Sequence, residues 1–206
     1  MKKRLIIYLV GLCITALGIS LIILSQAGAG PMDMVAVGLN QHLGLTIGVW
    51  AILSQAVLVL ITGAIEWKRL QLESIIAIVV RSWFLDFWIY IALKDIPFTA
   101  TWGSQWLTFL LGIVAVGLGI GIYLEARLPR TPIDGLMLAI HNRTGWSLSV
   151  SRILIEAGAA IAGYLLGGPI GLGTILIVLI LGRIIQFTNK KVKQLLRNPS
   201  VAVANH

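Results

Sequence analysis

One spacing organises this sequence. Gly18-Ile19, Pro31-x-Asp33, Gly44 and Val49 recur as Gly119-Ile120, Pro132-x-Asp134, Gly145 and Val150, each displaced by the 101 residues between Pro31 and Pro132. Residue classes also agree around these anchors: Gln41 meets Asn142, Thr46 meets Ser147 and Gln55 meets Glu156. The chain is 58% hydrophobic and only 12% charged, so the duplication points to a membrane protein built from two related halves, with any site at their interface.

A soluble domain carries charge on about a quarter of its residues, roughly twice the level here. Six stretches, 5–24, 47–65, 72–93, 106–124, 148–166 and 170–187, are apolar and long enough for a hydrocarbon core that takes about 20 helical residues to cross. They divide into a first repeat over about 5–95 and a second over about 102–190, within one membrane domain; a basic tail covers 190–206. Cys13 is the single cysteine, so no disulfide framework or thiolate metal cluster is available. The opening Met1-Lys-Lys-Arg4 and the small residues Ala27-Gly28-Ala29 imitate a secretory signal. Against that, the apolar run is too long, and its repeat partner lies mid-chain.

The basic residues set an orientation. Lys2, Lys3 and Arg4 precede the first span, Lys68 and Arg69 follow the second, and Arg127, Arg130 and Arg143 lie between the fourth and fifth. Lys190, Lys191, Lys193 and Arg197 follow the sixth. Six spans with cytoplasmic termini place all of these inside and leave only Lys94 outside, as the positive-inside rule requires. The formal net charge of +8 then orients the protein and meets anionic lipid; no soluble basic patch interleaved with aromatics points to nucleic acid.

Two segments, 31–43 and 132–143, are too short to span, at roughly 18 Å of helix each. They read as re-entrant half-helices. Three full spans per repeat is an odd number, so the second copy is inverted relative to the first, a plan common among transporters. The alternative counts each short segment as a span, giving eight helices in two parallel four-helix repeats. It would put Lys68, Arg69, Arg127 and Arg130 outside.

Each short helix opens on a defined signal. Thr131-Pro132-Ile133-Asp134 reads as a hydroxyl cap, a proline at the first helical position and an acid in the first turn; Gly30-Pro31-Met32-Asp33 repeats it with a glycine cap. Asp33 and Asp134 therefore either cap helices and offset the macrodipole, or meet near the midplane and bind a cation or exchange a proton. Arg152 and Glu156 are four apart and can pair; Arg81 and Asp86 are five apart and less well aligned. Gln55 stands opposite Glu156 in the duplication, and Asp86 opposite Gln186. The candidate solute- or ion-binding set is thus Asp33, Asp134, Glu156, Asp86, Gln55, Arg152 and Arg81, with Thr131, Pro132 and Pro31 as helix caps. An internal network that only fixes packing is the competing reading of the same residues.

Other motifs carry less. Gly117-Leu-Gly-Ile-Gly121 and Gly171-Leu-Gly173 lack the strand and downstream acid of a dinucleotide site and suit close helix packing. His42 and His141 have no second ligand at metal spacing and read as interfacial hydrogen-bonding groups. No nucleophile stands beside a base, so the sequence suggests neither enzyme chemistry nor a cofactor or metal.

The run Gly28-Ala-Gly30-Pro31-Met-Asp33, its echo Thr131-Pro132-Ile-Asp134-Gly135, and the closing Gly168-Pro-Ile-Gly171-Leu-Gly173-Thr174 with Gly182 resemble the YczE/YyaS group of bacterial membrane proteins, and more distantly the YitT group. The first copy departs from the pattern, with Leu70-Gln-Leu-Glu73-Ser74 where the second has its glycine-threonine turn. The resemblance implies a multi-pass protein of the bacterial inner membrane. The repeat architecture and the charges within the spans, not the resemblance, give the expectation of a small secondary transporter or channel-like permease for a small solute or ion, with a proton or cation as the candidate coupling species. A non-transporting adaptor of a membrane partner complex and a translocator of lipid-linked head groups stay open, as does homo-oligomerisation.

Overall fold

The computed structural model describes residues 2–66, 73–126, 128–129, 131–146 and 148–197, with several side chains within these ranges, those of Asp134, Arg152, Arg183 and Gln186 among them, outside that description. All regular structure among the described residues is helical. The order is α1 (Lys2–Ser25), α2 (Pro31–Leu43), α3 (Ile47–Glu66), α4 (Glu73–Phe87), a π-helical turn (Trp88–Ala92), α5 (Trp102–Leu124), α6 (Pro132–Thr144), α7 (Leu148–Leu165) and α8 (Leu172–Arg197). Four segments are long and apolar enough to cross a bilayer: Arg4–Ser25, Ile47–Ile65, Ser74–Ala92 and Trp102–Leu124. The apolar stretches of α7 and α8, Ile153–Leu165 and Leu172–Leu181, are shorter. Leu107, Leu110, Leu111, Val114 and Leu118 form an exposed stripe along α5, a surface that lipid covers and water does not.

Two boundaries differ most from the sequence reading. α5 starts at Trp102 instead of 106 because Thr101 Oγ1 accepts the Ser104 N–H at 3.1 Å while Ser104 Oγ accepts the Thr101 N–H at 3.1 Å, a reciprocal cap that fixes an earlier first turn. α8 continues to Arg197, so the basic stretch from Lys190 assigned to a tail is helical that far. Its lysines, leucines, glutamine and arginine favour helix, and no glycine or proline stops it before Arg197.

The centre is a seam of α1 on α5. A Cβ on Gly18 would lie 2.5 Å from Val116 N and 2.7 Å from Gly112 O; one on Gly11 would lie 2.7 Å from Tyr123 N and 2.8 Å from Gly119 O. Only glycine permits backbones so close. Because Gly11 meets Gly119 and Gly18 meets Gly112, the two helices run antiparallel. These four residues are two corresponding pairs of the duplicated sequence, so each contact is the counterpart of the other, as in a two-fold interface. α8 runs parallel to α5, with Ile184 over Gly117 and Thr188 over Gly121. Ala16, Ile19, Phe109, Ile113, Val116 and Ile177 fill the main core around the seam, and Tyr8, Leu12, Ala77, Tyr123 and Ala126 close one end of it.

The other helices interlock across the copies. α2 packs on α7 and α3 on α6, while α1 packs on α4 and α5 on α8. The turns after α2 and α6 also correspond. Gly44 and Gly145 end the helices at φ 69° and 74°, where side chains with a Cβ are strained. Asn40 Nδ2 donates to the Leu45 carbonyl at 2.6 Å, and His141 Nδ1 donates to the Trp146 carbonyl at the matching place.

Candidate functional site

The site begins at the segment that joins α1 to α2. Gln26 has φ 56° and Gly28 φ 142°, which turns the chain back into the protein. The Ala27 carbonyl accepts the Gly173 N–H at 3.0 Å, and a Cβ on Gly28 would lie 2.6 Å from Thr174 N. The two glycine-rich pieces of the sequence therefore dock on each other. The α8 N-terminus receives the carbonyl it needs, and the contact fixes where α2 starts.

Gly30 caps α2 in an extended conformation, Pro31 takes the first helical position and Asp33 falls in the first turn. A Cβ on residue 30 would lie 2.7 Å from Asp33 Oδ2, so the carboxylate folds back over the cap glycine. There it borders a cavity of about 120 Å³ lined by Thr15, Gln55, Arg81, Ile133 and Glu156, with apolar walls from Ile19, Val116 and Ile177. Four of the sequence candidates, Asp33, Gln55, Arg81 and Glu156, thus converge from α2, α3, α4 and α7. Arg81 lies within electrostatic reach of the Asp33 carboxylate. Gln55 is 4% exposed, and neither its Oε1 nor the buried Arg81 Nε has a hydrogen-bond partner. Buried polar atoms usually have one, so both atoms present unused capacity to whatever fills the cavity.

Two further cavities adjoin this one. The first, about 190 Å³, shares Thr15, Arg81, Ile120 and Ile133 with it and reaches Thr131, Tyr123 and Leu124; Arg81 stands between the two. The second, about 270 Å³, shares Pro31 and Glu156 and lies between α7 and α8, against Ile153, Ala157, Ala160, Ile175, Val178 and Leu179.

The remaining candidates lie elsewhere. Asp86 accepts the Gly48 N–H at 2.8 Å and the Thr46 hydroxyl, and Tyr90 OH accepts the Ile47 N–H at 3.2 Å. It caps α3 from across the helix pair and takes no part in lining the cavity. Arg81 and Asp86 do not pair because five residues turn a helix by about 140° from alignment, which sends Arg81 to the cavity and Asp86 to α3. Pro132 opens α6 as expected, and Thr131 occupies the cap position, but its hydroxyl makes no capping bond; the residue lines the cavity of about 190 Å³. The side chains of Asp134 and Arg152 are outside the described residues, so the Arg152–Glu156 pairing expected from the sequence falls there too.

Sequence reasoning missed Thr15. Its hydroxyl donates to the Gly11 carbonyl at 2.8 Å while the residue borders both inner cavities. Its place between Gly11 and Gly18 on the glycine face of α1 was the available signal.

Helices of this length and surface define an integral membrane protein. The chain belongs to a family of unknown function, DUF6198, whose pattern it matches over residues 2–190. It is 35% identical over 201 residues to the uncharacterized membrane protein YczE of Bacillus subtilis, covering 95% of this chain and 92% of that one. It is 33% identical to the uncharacterized protein YyaS of the same organism, over 86% and 88% of the two chains. An uncharacterized protein of Haemophilus influenzae is 33% identical over 90% of this chain and 83% of its own length. No solved structure matches.

Proposed function

We propose that the protein is a small secondary transporter or channel-like permease of the bacterial inner membrane with both termini cytoplasmic. In this reading six helices span, α2 and α6 are re-entrant half-helices, and the second sequence copy is inverted relative to the first. Helix direction supports the plan. Eight alternating crossings would set α1 and α5 parallel and α5 and α8 antiparallel, and the glycine contacts run the other way in both cases.

The observation that carries the transport reading is the gathering of Asp33, Gln55, Arg81 and Glu156 from both sequence copies around one cavity at a half-helix start. Charge placed inside a membrane protein is expensive and marks ion or solute paths. Asp33 is the group proposed to take up and release the coupling proton or cation, with Arg81 holding the carboxylate between steps. Rocking of the two halves would open the cavity to alternate sides.

The test is proton movement into pyranine-loaded proteoliposomes driven by a potassium diffusion potential. Asp33→Asn should slow acidification at least tenfold relative to the wild-type protein at equal reconstituted amount. Equal rates for the two would favour the adaptor reading, in which the buried charges only fix packing.

A further inference from the structure

The cleft between α7 and α8 adds a property that the central cavity alone would not suggest. It is walled by Ile153, Ala157, Ala160, Ile175, Val178 and Leu179, several of them strongly exposed on their outer sides, and at its inner end it meets the central cavity through Pro31 and Glu156. The cleft thus adjoins, across Pro31 and Glu156, the cavity that holds the buried Gln55 Oε1, which lacks a donor, and Arg81 Nε, which lacks an acceptor.

We propose that the ligand enters sideways from the bilayer and is a single-chain amphiphile whose small head group both donates and accepts hydrogen bonds, as a protonated carboxylic acid or primary amide does. The head group sits in the central cavity, with its N–H or O–H toward Gln55 Oε1 and its carbonyl toward Arg81 Nε, and the chain lies in the α7–α8 cleft. The sizes agree. The cavity is about 120 Å³ and lined by polar and charged side chains, whereas the cleft is about 270 Å³ and walled mostly by apolar ones, with Glu156 and Thr174 as its polar residues. This assignment rests on the transport reading for its purpose, but it makes a binding claim that can be measured without flux.

The experiment uses the full-length protein in phosphatidylcholine liposomes with trace diazirine-labelled palmitic acid, photolysed and mapped by mass spectrometry. Adducts should concentrate on residues 153–160 and 174–179, at least fivefold above the lipid-facing stripe of α5. Excess palmitic acid or palmitamide should remove them. Methyl palmitate, which accepts but does not donate, and hexadecane, which does neither, should compete at least fivefold less well. Ala160→Trp should block the cleft and Gln55→Leu should weaken labelling at least fivefold; the competitor series in wild-type protein stands if either variant fails to fold. Even labelling of all lipid-facing helices, or competition by hexadecane equal to that by palmitic acid, would overturn the proposal. Specific labelling without proton flux would sink only the transport reading, and flux lost in Asp33→Asn without specific labelling would sink only the amphiphile.

Discussion

The two helix pairs at corresponding sequence positions, α3–α4 and α7–α8, are held together differently. In the first, Asp86 reaches from α4 to the Gly48 N–H and the Thr46 hydroxyl, and Tyr90 takes the Ile47 N–H, so the helices are tied at one end. In the second, no comparable packing joins α7 to α8 among the described residues, and an apolar cleft separates them. Elsewhere the contacts come in matched pairs, so the difference is local. In the transport reading proposed above, one of two corresponding helix pairs braces the bundle while the other is left to open.

The seam shared by both halves should show the largest effect. Gly18→Leu forces a side chain into the α5 backbone, with even its Cβ 2.5 Å from Val116 N, and should destabilise by about 3 kcal/mol or more. A loss of monodisperse protein on gel filtration after mild heating would register it. Gly103→Leu, on the same helix pair but facing open space, should change stability by under about 0.5 kcal/mol.

A smaller effect separates the brace from the opening. Asp86→Ala removes the acceptor of the Gly48 N–H and of the Thr46 hydroxyl and should cost about 2 kcal/mol in thermal stability, with proton flux per folded molecule unchanged. Glu156→Gln, at the junction of cleft and cavity, should do the reverse, slowing flux several-fold with little change in melting. If the two variants behave alike, the division of labour between the pairs is wrong.

The smallest effect asks how far the correspondence holds. Asn40→Ala and His141→Ala each remove one side-chain bond to the carbonyl five residues on, and each should cost about 1 kcal/mol. Unequal losses beyond that scale would show that the two turns are held differently.

Much of the fold was legible because it depends on run length and backbone constraint. The apolar runs located the long helices, four of them long and apolar enough to cross a bilayer, and Pro31 and Pro132 with the glycines at 44 and 145 bounded the two short helices to within a residue. The pairing of Gln55 with Glu156 in the duplication pointed to two residues that the structure places at one cavity. What escaped depends on rotation and partner choice. Asp86 and Arg81 share a helix, and only the packing of α4 shows that one faces α3 and the other the cavity. The Thr101–Ser104 cap was hidden because serine stands where a glutamate would have been recognised. The α7–α8 cleft left no mark, since the apolar residues that line it read like any others facing lipid.

The central claim, that the two copies are inverted, is tested most directly at Leu45 and Trp146, corresponding and exposed residues in the turns after α2 and α6. In a Cys13→Ala background each is replaced in turn by cysteine and treated with a membrane-impermeant maleimide in intact cells and in inverted vesicles. Inversion predicts that Leu45→Cys reacts from outside the cell and Trp146→Cys only from the cytoplasmic side. Reaction of both from the same side would contradict it and restore the parallel eight-helix arrangement.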